Sequence, residues 1–259
     1  MGDDSPRTRR ALLHLFGGAA ALLITASKSS GREALIAKLI EEARAHGAIS
    51  ERIAFISAAL RGTRYLGYTL IGGPRRPEVF VVRDDGFDCV TYCETVLAAA
   101  IARNIPEFES VLREIRYQNG VVSWAQRNHY FFEWGEHNTA NNICKPVIMD
   151  GSIEIEKTVY WQKELGRRRF VMTVIPHAVF LSNKAKLRDG DIVGFVTHRP
   201  DLDYFHVGFV MFGDRGELLL RHAAKSRHRV LDERMDRFIA LNGVGYVTLL
   251  RPQEPRQEA

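Results

Sequence analysis

The sequence predicts an α+β fold in which helices come first and an antiparallel sheet follows. Apolar residues in the first half recur at i, i+3 and i+4, the spacing of one helix face. From Leu187 onward they fall in short alternating runs separated by glycine-containing turns, the pattern of hairpin strands. Strands gathered at one end of a chain, rather than alternating with helices, exclude a doubly wound parallel sheet.

Residues 32–46 carry Leu35, Ile36, Leu39, Ile40 and Ala43 on one face, and Gly47 can end that helix. Ser50 is placed to cap a second helix bearing Ile53, Ile56 and Leu60. The next stretch, GTRYLGYTLIGGPRRP, is rich in glycine and proline and reads as extended and turning, and 79–82 is a short strand candidate. Asp88 caps a long helix, CVTYCETVLAAAIAR, and Pro106 opens another holding Phe108, Val111, Leu112 and Ile115. Residues 117–176 are aromatic without a clear period and are expected to form an irregular insertion. In the last third LRDGD turns into the strand IVGFVT, and 205–212 pairs with 217–222 across the turn Gly213 to Gly216. Asp232 is expected to cap a helix to about Asn242, and 244–250 forms a final strand.

The chain has 259 residues, 46% hydrophobic and 26% charged, which is ordinary globular composition and excludes disorder or a polytopic membrane protein. Three cysteines exclude a disulfide scaffold and show no C-x-x-C zinc spacing. The net charge of +5 comes from basic residues scattered among acidic ones, without the aromatic interleaving of a nucleic-acid surface. Residues 1–29 have the layout of an export signal: a basic segment ending in Arg9 and Arg10, an apolar run from Ala11 to Ala26, then small polar residues and Lys28. The arginine pair favours the twin-arginine route to the periplasm, with cleavage near Ser29. The apolar run is shorter than a spanning helix prefers, so no membrane span is expected after processing. Residues 30–259 then form one domain.

The chemistry concentrates in FDCVTYCE, residues 87–94. With Asp88 as cap, Cys89 takes the first helical position, where unpaired N–H groups and the helix dipole favour an anion and lower a thiol pKa. The same N–H groups can receive an oxyanion. A free cysteine is often just a small core residue. A nucleophile needs a base within hydrogen-bond reach. His206 stands in YFHVGFV on a strand whose Gly208 admits a close neighbour, and His222 lies across the hairpin, where it can orient His206. Each alone reads as a half-buried packing residue; together with a capped cysteine they point to an active site. A zinc-binding set is the alternative reading of the three, although nothing in their spacing demands a metal.

The ordered set GTRYLGYTL, FDCVTYCE, IRYQNG, RNHYFFEW with Asn138, LRDGDIVGFVT, FHVGFV and LLLRHAA resembles the N-acetylmuramoyl-L-alanine amidase-like family of the NlpC-type, papain-like cell-wall cysteine hydrolases. The resemblance runs from about Gly62 to His222. It implies a papain-like core, with Cys89 as nucleophile, His206 as general base and acid, and His222 as the polar third member. It implies peptidoglycan fragments as substrate, cut at the amide between muramic acid and L-Ala, and no cofactor. Tyr65 matches a tyrosine that lines the site, and Arg127, His129, Tyr130, Trp134 and Asn138 match the R-x-H-Y…W…N run as ligand contacts. Arg64 stands where proline is expected and Cys93 where a bulky apolar residue is expected. Cys93 lies one turn beyond Cys89, a poor geometry for a disulfide, and reads as buried. Cys144 reads as structural. An endopeptidase cutting between D-Glu and the diamino acid, and a non-catalytic wall-binding protein, are the alternatives.

Overall fold

Helix formation follows the apolar spacing closely. In the computed structural model, which describes residues 26–255, the helices are α1 (Ala26–Ala43), α2 (Ile49–Ala59), α3 (Cys89–Ile101), α4 (Ile105–Arg116), α5 (Phe131–Ala140), α6 (His177–Ser182) and α7 (Met235–Leu241). The expected export signal lies outside the described residues except for 26–29, which are helical. α3 is buried along most of its length, from Thr91 to Ala100. A helix apolar on all sides belongs in the middle of a core. Its start is closed reciprocally: the Asp88 carboxylate accepts the Thr91 N–H at 2.8 Å, and the Thr91 hydroxyl accepts the Asp88 N–H at 3.0 Å. α4 has Asn104 as cap, whose side chain accepts the Glu107 N–H at 2.9 Å, and it buries Phe108, Leu112 and Ile115. Ser50 does not cap α2. Ala48 takes that place, and Glu51 reaches back to accept the Ala48 N–H at 3.1 Å.

The strands are β1 (Arg64–Tyr65), β2 (Ile71–Gly73), β3 (Arg76–Val79), β4 (Gly86–Phe87), β5 (Cys144–Pro146), β6 (Ile153–Val159), β7 (Arg168–Pro176), β8 (Ile192–Val196), β9 (Tyr204–Phe212), β10 (Leu218–Ala224), β11 (Arg229–Arg234) and β12 (Tyr246–Pro252). The main sheet runs β4-β1-β11-β10-β9-β8-β12-β7-β6, with β5 added to β12, while β2 and β3 form a separate hairpin. Its neighbours are antiparallel except β1 and β4. The fold is therefore α+β with a mostly antiparallel sheet. α1 to α5 cover one sheet face, where Val207, Phe209 and Met211 of β9 join their core. α6 and α7 cover the other, against Val193, Phe195, Val210, Leu220 and Val247.

Three expectations are corrected. Residues 117–176 are ordered: they supply α5, β5 and the β6–β7 hairpin. β6, IEIEKTV, is an edge strand largely exposed on both faces, and its Ile–Glu alternation is a short β-like run that the sequence alone does not place in the sheet. α5 contains Gly135, which reads as a breaker; a Cβ there would meet Leu250 Cδ1 at a tight 3.2 Å. The strand expected at 79–82 ends at Val79. Asp232 lies inside β11 rather than capping a helix, because both its oxygens are taken by Arg221 across the strand pair, at 2.7 and 2.8 Å.

Candidate active site

The site lies where two paired strands part. β9 and β10 pair from Phe212 and Leu218 to Phe209 and Arg221, and the ladder stops there. Beyond it β9 continues with β8 and β10 continues with β11. Val210 makes its backbone bonds on the β8 side, to Gly190 and Asp191. By the period of two, the Val207 N–H points to the β10 side, where its strand partner is gone. The start of α3 meets it there: the backbone N–H groups of Val207, Val90 and Cys89 itself lie near enough to the Cys89 sulfur to favour its anion. The thiol thus lies against the residue that follows His206.

Gly208 brings the second strand close. A Cβ on it would sit 2.9 Å from His222 Cβ, 2.9 Å from the Arg221 carbonyl and 2.7 Å from Leu220 Cδ1. In that closeness His206 Nε2 and His222 Nδ1 are 2.6 Å apart, with the rings nearly perpendicular. The ring of Phe238 on α7 packs on both, at 5.4 Å from each. The contact between the two histidines occupies His206 Nε2 and leaves its Nδ1 outside the pair. Beside His222, Arg221 binds Asp232 and donates to Ala54 O and Ser57 Oγ of α2, both at 3.1 Å, while Tyr92 of α3 donates to Ser57 O at 3.0 Å. α2 therefore fixes α3 and β10 relative to each other.

The electrostatics reverse one expectation. Burial, and next the Asp88 carboxylate, push the Cys89 thiol up to about 12, against the three N–H groups that pull it down. Desolvation of a thiolate outweighs one helix end when the cap itself carries a negative charge. Burial, and then the charge of His222, hold His206 well below the ordinary imidazole value. Burial also lowers His222, opposed by Glu233. At neutral pH the Cys89 thiol and the two imidazoles therefore all rest uncharged.

Tyr65 joins this group: its hydroxyl is pushed up to about 12 by burial first, then by Cys89 and Asp88. The remaining candidate contacts lie elsewhere. Tyr130, Trp134 and Asn138 are buried. Tyr130 Oη accepts the Gln162 N–H at 3.1 Å, Trp134 stacks on Phe131, and Asn138 Nδ2 donates to the Trp134 carbonyl at 2.8 Å. Their side chains pack the interior of α5 instead of facing an open cleft. Arg127, bound to Glu78 at 2.8 Å, and His129, bound to the Trp124 carbonyl at 2.7 Å, line a cleft of about 490 Å³ with Glu133, His137 and Arg168. That cleft is lined by none of Cys89, His206 or His222. Cys93 and Cys144 are buried thiols. Among the described residues, no three His, Cys, Asp or Glu side chains are grouped to hold a metal ion. Two participants escaped the sequence: the Val207 N–H, which only the parting of strands exposes, and Glu233 behind His222.

His129 gives the cleft a pH signature. Burial lowers its pKa from 6.5 to about 4. Its stabilisation is full above the unfolded value of 6.5 and is lost as pH falls towards 4, because there only the unfolded chain takes up the proton. Melting temperature across that window should therefore fall less steeply in His129→Gln than in the parent chain. Parallel curves would show that His129 titrates normally.

Among solved structures, a protein of Legionella pneumophila superposes with a TM-score of 0.76 at 22% identity, over 89% of this chain and 98% of its own. An N-acetylmuramoyl-L-alanine amidase of Bacteroides uniformis superposes at 0.67 and 20% identity, over 80% and 100%. A Bacteroides fragilis protein provisionally assigned as a xylanase superposes at 0.61 and 20% identity, over 75% and 98%. At these identities the likeness is one of fold, and two differently named activities on it show that fold alone does not decide the reaction. No curated protein matches the chain in sequence. The match that decides the family is in the sequence itself, over residues 55–244, and by it the chain belongs to the N-acetylmuramoyl-L-alanine amidase-like family.

Proposed function

We propose that the protein is an exported, cysteine-dependent amidase with a papain-like core of the NlpC type. Its substrate would be the amide between the lactyl group of N-acetylmuramic acid and L-Ala in peptidoglycan fragments, cut without a cofactor. What supports this reading is the place of Cys89 at the start of α3, against Val207, the residue next to His206, with His206 and His222 paired at 2.6 Å. Family membership supports the substrate class.

His206 Nδ1 accepts the Cys89 proton as the sulfur attacks the lactyl carbonyl carbon. The oxyanion forms beside the Cys89 N–H at the start of α3, and Tyr65, whose hydroxyl stays protonated, is the side-chain donor at hand. His206 then gives its proton to the L-Ala nitrogen, the C–N bond breaks, and the peptide leaves. Water, losing a proton to His206, opens the remaining thioester and frees the sugar acid. Export through the signal at 1–29 to the periplasm belongs to the same proposal. No helix among the described residues is long and apolar enough to cross a membrane.

The test is mass spectrometry of defined muropeptides incubated with the purified protein. The expected products are a peptide with a free L-Ala amine and a sugar without peptide. Fragments cut within the stem peptide would replace this reading with an endopeptidase, and intact substrate would leave a wall-binding role.

A further inference from the structure

We propose that Glu233 is a positioning residue that sets, through two imidazole rings, which nitrogen of His206 is free to take a proton. The kinetic side of this proposal rests on the cysteine amidase reading; the proton positions themselves do not.

β10 and β11 pair with His222 opposite Leu231. Glu233, two residues further along β11, therefore shares the His222 face as its diagonal neighbour. His222 is 2% exposed, and its Nε2 has no hydrogen-bond partner of good geometry. The group facing that nitrogen is the Glu233 carboxylate, with Oε2 at 3.3 Å. The other Glu233 oxygen lies 3.5 Å from Arg227 Nε. Asp232, the other carboxylate near His222, is held by both forks of Arg221. α7 faces the ring with Phe238, which carries no charge.

A neutral imidazole has one N–H and one lone pair. The 2.6 Å contact between His206 Nε2 and His222 Nδ1 needs one of each. If His222 carries its proton on Nε2, that N–H lies beside a carboxylate, whose Oε2 is 3.3 Å from the nitrogen, and Nδ1 becomes an acceptor. His206 must then donate from Nε2, and its Nδ1 keeps a lone pair for the Cys89 proton. In the opposite arrangement a lone pair on His222 Nε2 would face the Glu233 oxygens, and His206 would carry its proton on Nδ1. That ring could not act as base. One carboxylate thus selects the competent tautomer of a ring it never touches. Its charge also steadies the imidazolium that His206 becomes during turnover.

The test compares the parent protein with Glu233→Ala and Glu233→Gln. Long-range ¹H–¹⁵N spectra of histidine-labelled protein at neutral pH read which ring nitrogen bears the proton. The parent should show both His206 and His222 protonated on Nε2, and Glu233→Ala should lose that ordering. With a muropeptide substrate, Glu233→Ala should lower kcat by about 10–100-fold, the scale for residues that orient catalytic ligands, with KM nearly unchanged. Glu233→Gln, which keeps the shape and an acceptor oxygen, should keep the Nε2–H form of His222 and fall between the two in kcat. It also serves if the alanine variant does not fold. A parent His206 protonated on Nδ1, or an alanine variant with unaltered tautomers, would overturn the proposal. The expected tautomer change in a protein without amidase activity would sink the enzymatic reading and leave the positioning role standing.

Discussion

Replacing Cys89 by Ala is expected to lower kcat/KM for the muropeptide amide by roughly 10⁶-fold, the scale on which a hydrolase loses its nucleophile. No other described thiol can stand in, since Cys93 and Cys144 are both buried while Cys89 is partly exposed. His206→Ala should be similarly severe, and the double variant little worse than either, because nucleophile and base act as one unit. The neutral resting pair adds a second signature. With the thiol pushed up to about 12 and His206 held low, the proton moves only as the carbonyl arrives. Alkylation of the free enzyme should therefore quicken through the alkaline range without a plateau near neutrality. Trapping a thioester on the parent but not on Cys89→Ala completes the test. Near-parent turnover in Cys89→Ala would remove the cysteine from the chemistry.

The largest stability effect is expected at Glu94 and Arg116. Each side chain is 3% exposed, and Arg116 Nε meets Glu94 Oε2 at 2.7 Å while its Nη1 donates to the Val81 carbonyl at 2.7 Å. The buried indole N–H of Trp134 has no full hydrogen bond, but it faces the Glu94 carboxylate and helps hold it ionised. Burial still raises the Glu94 pKa, with Arg116 the main opposing influence. Arg116→Met would strand that carboxylate, at a cost of about 3–5 kcal/mol in denaturant unfolding. Glu94→Leu combined with Arg116→Met should recover much of the loss, because the double change leaves no lone buried charge. If Arg116→Met unfolds within about 1 kcal/mol of the parent, the pair behaves like an exposed one.

What could be read from the sequence was local. Asp88 and Thr91 close a helix start by their spacing alone, so the place of Cys89 was visible. His206, Gly208 and His222 were visible because the period of two and one tight turn bring them together. β11 was hidden for the opposite reason. RVLDER has no apolar alternation, and it becomes a strand only by pairing with β10, so Glu233 could not be placed behind His222. Tyr130, Trp134 and Asn138 matched a motif, yet a motif does not say which way a side chain turns, and α5 turns these inward. The Cys89 pKa was misjudged because a helix start is a local feature, whereas desolvation depends on everything packed around it.

Holding the sulfur as a thiol also bears on its chemical lifetime. Peroxide and other oxidants attack thiolates, and susceptibility follows thiolate character and exposure. Cys89 is only partly accessible, and its raised pKa keeps the thiol protonated at neutral pH. A cysteine kept this way can idle in an oxidising environment without passing to sulfenic acid, and it needs no resolving partner to restore it. On the proposed mechanism, the burial that slows the first proton transfer would also protect the nucleophile between turnovers.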